Sequence, residues 1–223
     1  VRSRRQRQMC IRDSVRLISW FVTWPALIFT RSGHRNVVYI PDVISVDTDL
    51  QLRVPMESDA PTLFNLVEEN RTYLREWLPW LDETTSVQDE VNFIQEQTAK
   101  HQTANGSLFI IESLDVGIIG TVSVNQVDHG NLTAWIGYWL DQSHTGRGIM
   151  TRAVGALVDV LLVSCGFNRV VIETGVDNSA SSAIPLRLGF RQEGRSVQRQ
   201  WMYDRWVDSF QYAITASEWR ANA

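Results

Sequence analysis

The sequence predicts a mixed α/β single domain, with elements in the order β-α-α-β-β-β-α-β-α-β-β and no internal repeat. Three observations carry this. Runs such as LQLRVP and VGIIGTVSVNQV have the composition and alternation of strands, other runs place apolar residues every three to four positions as helices do, and glycine, proline or capping residues mark the joints. The 223 residues, 44% of them hydrophobic, suffice for one sizeable core.

LQLRVP is the first strand, and Pro55 ends it. Ser58 then precedes Leu63, Leu66 and Val67, spaced for a first helix. RTYLREWLPWLDE follows, with Trp77 and Trp80 on either side of Pro79, where the helix should end or kink. Ser86 with Asp89 forms a capping-box variant that opens a second helix through Val91, Ile94 and Thr98. GSLFIIES and VGIIGTVSVNQV make a hairpin around Leu114-Asp115, and HGN turns the chain into LTAWIGYWL. A helix from about Gly146 to Val163 then gathers Ile149, Ala153, Ala156, Leu157, Val160 and Leu161 on one face. RVVIET has the continuous apolar centre of a strand covered on both sides. Asp177 or Asn178 caps a short helix, SASSAIPLRLG, ended by Gly189. Two strand-like runs around Asp204-Arg205 close the domain.

Charge narrows the function classes. Residues 1–36 hold eight arginines and one acid, whereas the remainder holds thirteen basic residues and twenty-four acids. An acidic domain argues against nucleic acid as partner and for a cationic or amine-bearing one. Cys10 and Cys165 belong to no CxxC or Cys/His cluster, so neither a metal site nor a disulfide framework is supported. Cys165, behind VDVLLVSCGF, is expected to be a buried, inert thiol. The Asn-x-Ser/Thr triplets at Asn70, Asn105 and Asn131 matter only in a secreted protein.

The N-terminus stands apart. VRSRRQRQMCIRDS resembles translated sequencing-adapter DNA. Leu17 to Thr30 is apolar, but shorter than the ~18 residues a membrane helix needs, and Pro25 interrupts it. Residues 1–42 are therefore expected to be artefact or upstream read-through, a membrane anchor being the alternative. The domain is expected to span 43–223, cytoplasmic and without a membrane partner.

HTGRGIM, His144 to Met150, joins a strand to a helix through two glycines, a context that points bare backbone N–H groups at one spot and favours an anion. Two phosphate loops are excluded. A dinucleotide fingerprint needs a third glycine where Thr151 stands, and a P-loop needs a lysine, whereas the chain's only lysine is Lys100.

IGYWLDQSHTGRGIMTRAVGALVD followed by NRVVIETGVDNSASSAIPLRLGFRQEG resembles the GNAT acyltransferase superfamily, and within it the ribosomal-protein-serine N-acetyltransferase branch of RimJ/RimL type. The resemblance runs over about residues 46–218 and includes NRTYLREWLPWLD and the W-YD-WVD ending. It implies a mixed, mostly antiparallel central sheet with helices on both faces and the fourth and fifth strands splayed. It also implies acetyl-CoA as acyl donor, with its pyrophosphate cradled by backbone N–H groups of Gly146, Arg147, Gly148, Ile149 and Met150. Thr145 and Met150 depart from the usual loop pattern, which backbone binding tolerates. A backbone N–H near Trp139 or Leu140 would face the thioester oxygen.

Acyl transfer to an amine also needs a neutral amine and a proton for the departing thiolate. In DNSASSAIP the resemblance assigns Asn178 to anchoring the cofactor or capping the helix, and Ser181 to protonating the thiolate. The family's usual basic glutamate falls on Gln200, an amide that accepts no proton. A water relay to Glu69, Glu83 or Glu173 is one replacement, and an acceptor arriving already neutral is another. The third is a non-catalytic acyl-CoA sensor. The favoured expectation is an N-acetyltransferase acting on a primary amine, such as a ribosomal protein's N-terminal α-amine, with small-molecule amines as the alternative. Trp77, Trp80, Trp201, Tyr203 and Trp206 are expected in an acceptor groove, in the core or in contacts of a homodimer.

Overall fold

The computed structural model describes residues 39–222. The elements are β1 (Val43–Ser45), β2 (Leu50–Arg53), α1 (Ala60–Arg75), α2 (Val87–Gln102), β3 (Ser107–Ser113), β4 (Gly117–Asp128) and β5 (Thr133–Leu140), then α3 (Ile149–Asp159), β6 (Arg169–Gly175), α4 (Ser179–Arg187), β7 (Arg191–Met202), β8 (Arg205–Thr215) and α5 (Ala216–Asn222). They build one eight-stranded sheet in the order β1-β2-β3-β4-β5-β6-β8-β7. Every neighbouring pair is antiparallel except β5 and β6. A parallel pair needs a long crossover, and α3 supplies it.

The two sheet faces are covered differently. On one, α3 buries Ile149, Met150, Ala153, Val154, Leu157 and Val158 against Phe109, Ile111, Val122, Ile136 and Ile172. On the other, Ala60 and Leu63 of α1 and Ile94 of α2 meet Ile110, while Val67 and Leu74 pack with Leu81. Leu157 is fully buried, so Leu157→Ala would cost about 2–5 kcal/mol.

The structure also corrects details. β1 is an additional edge strand, so the splayed fourth and fifth strands of the expectation are β5 and β6. Ile40 is buried in the main core and Asp42 hydrogen-bonds His101 at 2.9 Å. The packed domain thus takes in residues 39–42, which the expected boundary at 43 had set aside. The artefact, anchor and read-through expectations for residues 1–38 lie outside the described residues. Helix α1 follows Asp59, not Ser58, and stops at Arg75, before Pro79. Helix α3 starts after Gly148 and widens into a π turn over Val160–Ser164, with Cys165 N–H reaching Val160 O at 2.9 Å. Among the described residues no helix is long and apolar enough to cross a membrane.

The capping expectations meet their geometry. Asp89 N–H donates to Ser86 Oγ at 3.3 Å at the start of α2, and Asn178, not Asp177, caps α4. The tip of the β7–β8 hairpin clamps the link between α1 and α2. Tyr203 Oη donates to Leu78 O at 2.6 Å and accepts from Leu81 N–H at 3.3 Å, under the Arg75 guanidinium.

Candidate functional site

β5 and β6 pair from Thr133↔Arg169 to Ile136↔Ile172, and then part. β5 continues to Leu140 held only by β4, and β6 continues to Gly175 held only by β8. The V between them opens into a groove of about 1500 Å³. The residues that the resemblance assigns to the donor site and to the usual base position line it: Trp139, Leu140, Gly146, Arg147, Gly148, Ile149, Met150, Asn178, Ser181 and Gln200.

Backbone direction separates Trp139 from Leu140. Asp141 N–H donates to Ile119 O at 2.8 Å, and Thr121 is paired with Trp139. Antiparallel alternation therefore turns the N–H and C=O of Trp139 toward β4, and the N–H groups of Tyr138 and Leu140 toward the opening. The Leu140 N–H has no partner among the described residues, whereas Trp139 contributes its ring, packed among the α1 and α2 side chains. Gly120 permits this close strand approach, since a Cβ there would lie 2.9 Å from Leu140 Cα.

At one end of the groove lies the glycine turn. Gly146 and Gly148 have φ of 74° and 75°, a left-handed backbone that side chains disfavour. From Gly146 to Thr151 no backbone N–H has a partner among the described residues, so a run of donors faces the groove at the start of α3. At its tip the Arg147 side chain is turned back, its guanidinium donating to Ser143 O at 2.9 Å. The turn is braced from behind. Asn70 of α1 is buried, accepts from Gln142 N–H at 2.9 Å and donates to Leu66 O at 2.9 Å. Asp141 holds the His144 ring at 2.7 Å.

Ser181 sits midway, in the first turn of α4. Its Oγ donates to the Tyr138 hydroxyl at 3.3 Å, and that hydroxyl donates to Ser181 O at 3.1 Å. Burial pushes the Tyr138 phenol up to about 12, so it stays protonated. Asn178 Oδ1 accepts from Ser181 N–H at 3.0 Å, which satisfies the helix end and leaves the amide NH₂ without a partner among the described residues. Tyr138 was not foreseen; its place in TAWIGYWL marks only a strand.

The opposite end is lined by side chains. Gln200 is exposed there, just past a bulge in β7. Of the acids considered as relays, Glu83 and Glu173 line the groove and Glu69 does not. Glu173 is engaged by Arg199 at 3.2 Å. An unforeseen acid, Glu90, lines the groove from α2 with only 6% of its surface exposed. Burial, with a smaller contribution from the Asp89 charge, pushes its carboxyl up to about 7. Trp77 and Trp80 line the groove, whereas Tyr203 is the hairpin clamp, and Trp201 and Trp206 stack edge to face, about half exposed, outside it.

Comparison with known proteins bears on this geometry directly. Residues 49–191 match the acetyltransferase (GNAT) domain family. The ribosomal-protein-serine acetyltransferase of Escherichia coli (strain K12) is 35% identical over 172 residues, covering 77% of this chain and 96% of that one. The chain belongs to the GNAT acetyltransferase family. Among solved structures, RimL, a ribosomal α-N-protein acetyltransferase in complex with coenzyme A, superposes on this acetyltransferase with a TM-score of 0.75 at 33% identity, covering 78% of this chain and 97% of the other. The microcin C7 self-immunity acetyltransferase MccE, solved with acetyl-CoA and AMP, gives 0.75 at 30% identity and covers 79% and 98%. This acetyltransferase thus uses acetyl-CoA as acyl donor for N-acetylation.

Proposed function

We propose that the acceptor is the N-terminal α-amine of a protein, ribosomal proteins being the leading class, and that transfer takes place in the cytoplasm. The observation that carries this is the polarity of the groove. Arg147, Arg152 and Arg187 line the groove from the glycine turn, α3 and α4, whereas Glu76, Glu83, Asp89, Glu90 and Glu96 line it from the α1–α2 segment, and Arg199 of β7 is paired with Glu173. An anionic donor and a cationic acceptor would enter from opposite ends. The named relative that acetylates a ribosomal-protein serine supports the same reading.

In this proposal the N–H groups of Gly146 to Met150 hold the pyrophosphate, and Asn178 Nδ2 anchors the pantetheine arm. Leu140 N–H stabilises the oxyanion, an interaction of the kind worth about 10²–10³ in rate. Ser181 Oγ–H turns from Tyr138 to the departing sulfur. An α-amine suits such a site, since with a pKa of about 8 it is ~10% neutral at pH 7. The homodimer remains part of the proposal as an expectation of sequence alone.

Thiol release from acetyl-CoA tests this, with Ser- and Ala-starting peptides set against small amines. Faster turnover of peptides is the expected result. Turnover of small amines alone would transfer the assignment to a small-molecule acetyltransferase. Saturable acetyl-CoA binding with no turnover of any amine would leave a sensor.

A further inference from the structure

An amine that arrives protonated must lose a proton before it attacks, and Gln200, an amide, cannot take it. We propose that the carboxylate of Glu90 takes that proton, from a place on α2 that has no counterpart in the β7 position of the usual glutamate. The inference rests on the amine-acetylation reading.

Elimination among the acids of the groove leads to Glu90. Asp89 accepts from Thr85 N–H at 3.0 Å, Thr85 Oγ1 at 3.1 Å and Ser86 Oγ at 2.8 Å, and these bonds hold its carboxyl below the usual range. Glu96 is paired with Lys100 at 2.8 Å, and Glu173 with Arg199 at 3.2 Å. Glu76 and Glu83 are exposed to water. Glu90 alone in this set is buried, and no hydrogen bond or ion pair reaches its carboxyl among the described residues.

Its position fits the role. Glu90 lies one turn before Ile94 on the same face of α2, and Ile94 packs in the cluster that includes the Trp139 ring. The residue after Trp139 is Leu140, whose N–H faces the opening. Burial keeps the carboxyl close to neutrality, the condition for a base that must both take and release a proton near pH 7. The charged groups lining the groove with it are the carboxylates named above, together with His144 and the arginines of the phosphate end and Arg199.

The protons balance. An ammonium R–NH₃⁺ gives one proton to Glu90, and the neutral nitrogen attacks the thioester carbon. The C–N bond forms and the C–S bond breaks. The second proton leaves the nitrogen as the amide forms, and one proton is taken up by the departing thiolate through Ser181. Glu90 releases its proton to solvent, so the net products are the amide, CoA thiol and one proton.

The test compares full-length wild type, Glu90→Gln and the double variant Glu90→Gln with Gln200→Glu, using a Ser-starting peptide between pH 5.5 and 9. The expected result is a kcat lower by about a hundredfold in Glu90→Gln, with acetyl-CoA affinity unchanged. The rise of kcat with pH centred near 7 should disappear, and kcat should recover in part in the double variant. A kcat for Glu90→Gln within threefold of wild type, or the same pH-dependent rise in that variant, would overturn the proposal. If Glu90→Gln does not fold, Glu90→Asp takes its place, because it withdraws the carboxylate by one methylene while keeping its charge. A lower kcat at unchanged acetyl-CoA affinity then supports the role, and an unchanged kcat overturns it. A wild type that binds acetyl-CoA yet turns over no amine would instead defeat the acceptor reading, a result visible before any variant is made.

Discussion

The two ends of the groove are made of different material. At the glycine-turn end the groove-facing groups are main-chain N–H donors, held out by two left-handed glycines and braced from behind by Asn70. At the opposite end they are side chains, Gln200, Glu90, Trp77 and Trp80, carried by three separate segments. A main-chain site depends on a backbone conformation, so it tolerates Thr145 and Met150 where other residues are usual. A side-chain site depends on each residue's chemistry, so a glutamine at position 200 matters there in a way that Thr145 and Met150 do not at the turn.

The largest effect that would sharpen this contrast is at the hinge between the ends. Ser181→Ala removes the hydroxyl but not the main-chain N–H that Asn178 caps, so kcat should fall about a hundredfold while acetyl-CoA affinity stays within about threefold. Calorimetry alongside steady-state rates checks both.

Next comes stability at the acceptor end. A carboxyl raised from 4.5 to about 7 by folding makes the native state bind more protons than the unfolded chain between those values. Wild-type stability from this group is therefore fully present below pH 4.5 and lost as pH rises through 7. Glu90→Gln should remove that slope and be the more stable protein at pH 8, by about 3 kcal/mol. Denaturant melts at pH 5 and 8 would show it, and an identical pH slope in both proteins would contradict the burial described here.

At the phosphate end, Gly148→Val forces a β-branched residue into a left-handed backbone. The strain of about 1–2 kcal/mol should weaken acetyl-CoA binding roughly tenfold. The smallest effect is Arg147→Ala, expected to change acetyl-CoA affinity less than about threefold, since the side chain of Arg147 is turned back on Ser143 and the cradle is main chain. A large loss there would break the contrast, because it would make the phosphate end a side-chain site too.

The same difference explains what could be read from sequence. The order of helices and strands was visible because apolar spacing records burial, and the glycine turn was visible because only glycine serves its backbone. Asn178 and Ser181 came from their register in a resembling segment, and the structure brings both into the groove. β1 escaped notice because three residues with one buried side chain make no pattern. Glu90 escaped because an acid in the first turn of a helix ordinarily favours the helix dipole and faces water. Its burial arises from the packing of α2 against β3 and α1, which no local window contains. Tyr138 and Asn70 act through partners 43 and 72 residues away.

Asn70 has a consequence for producing the protein. Asn70-Arg71-Thr72 has the form of an N-glycosylation acceptor, but its amide is buried, with both ends committed to Leu66 and Gln142. A sugar added to the emerging chain in a eukaryotic secretory host would occupy the place of that brace, and the Gln142 segment could not close over it. Export through such a host would convert a correct sequence into a misfolded glycoprotein, whereas synthesis away from oligosaccharyl transfer leaves the amide free to lock.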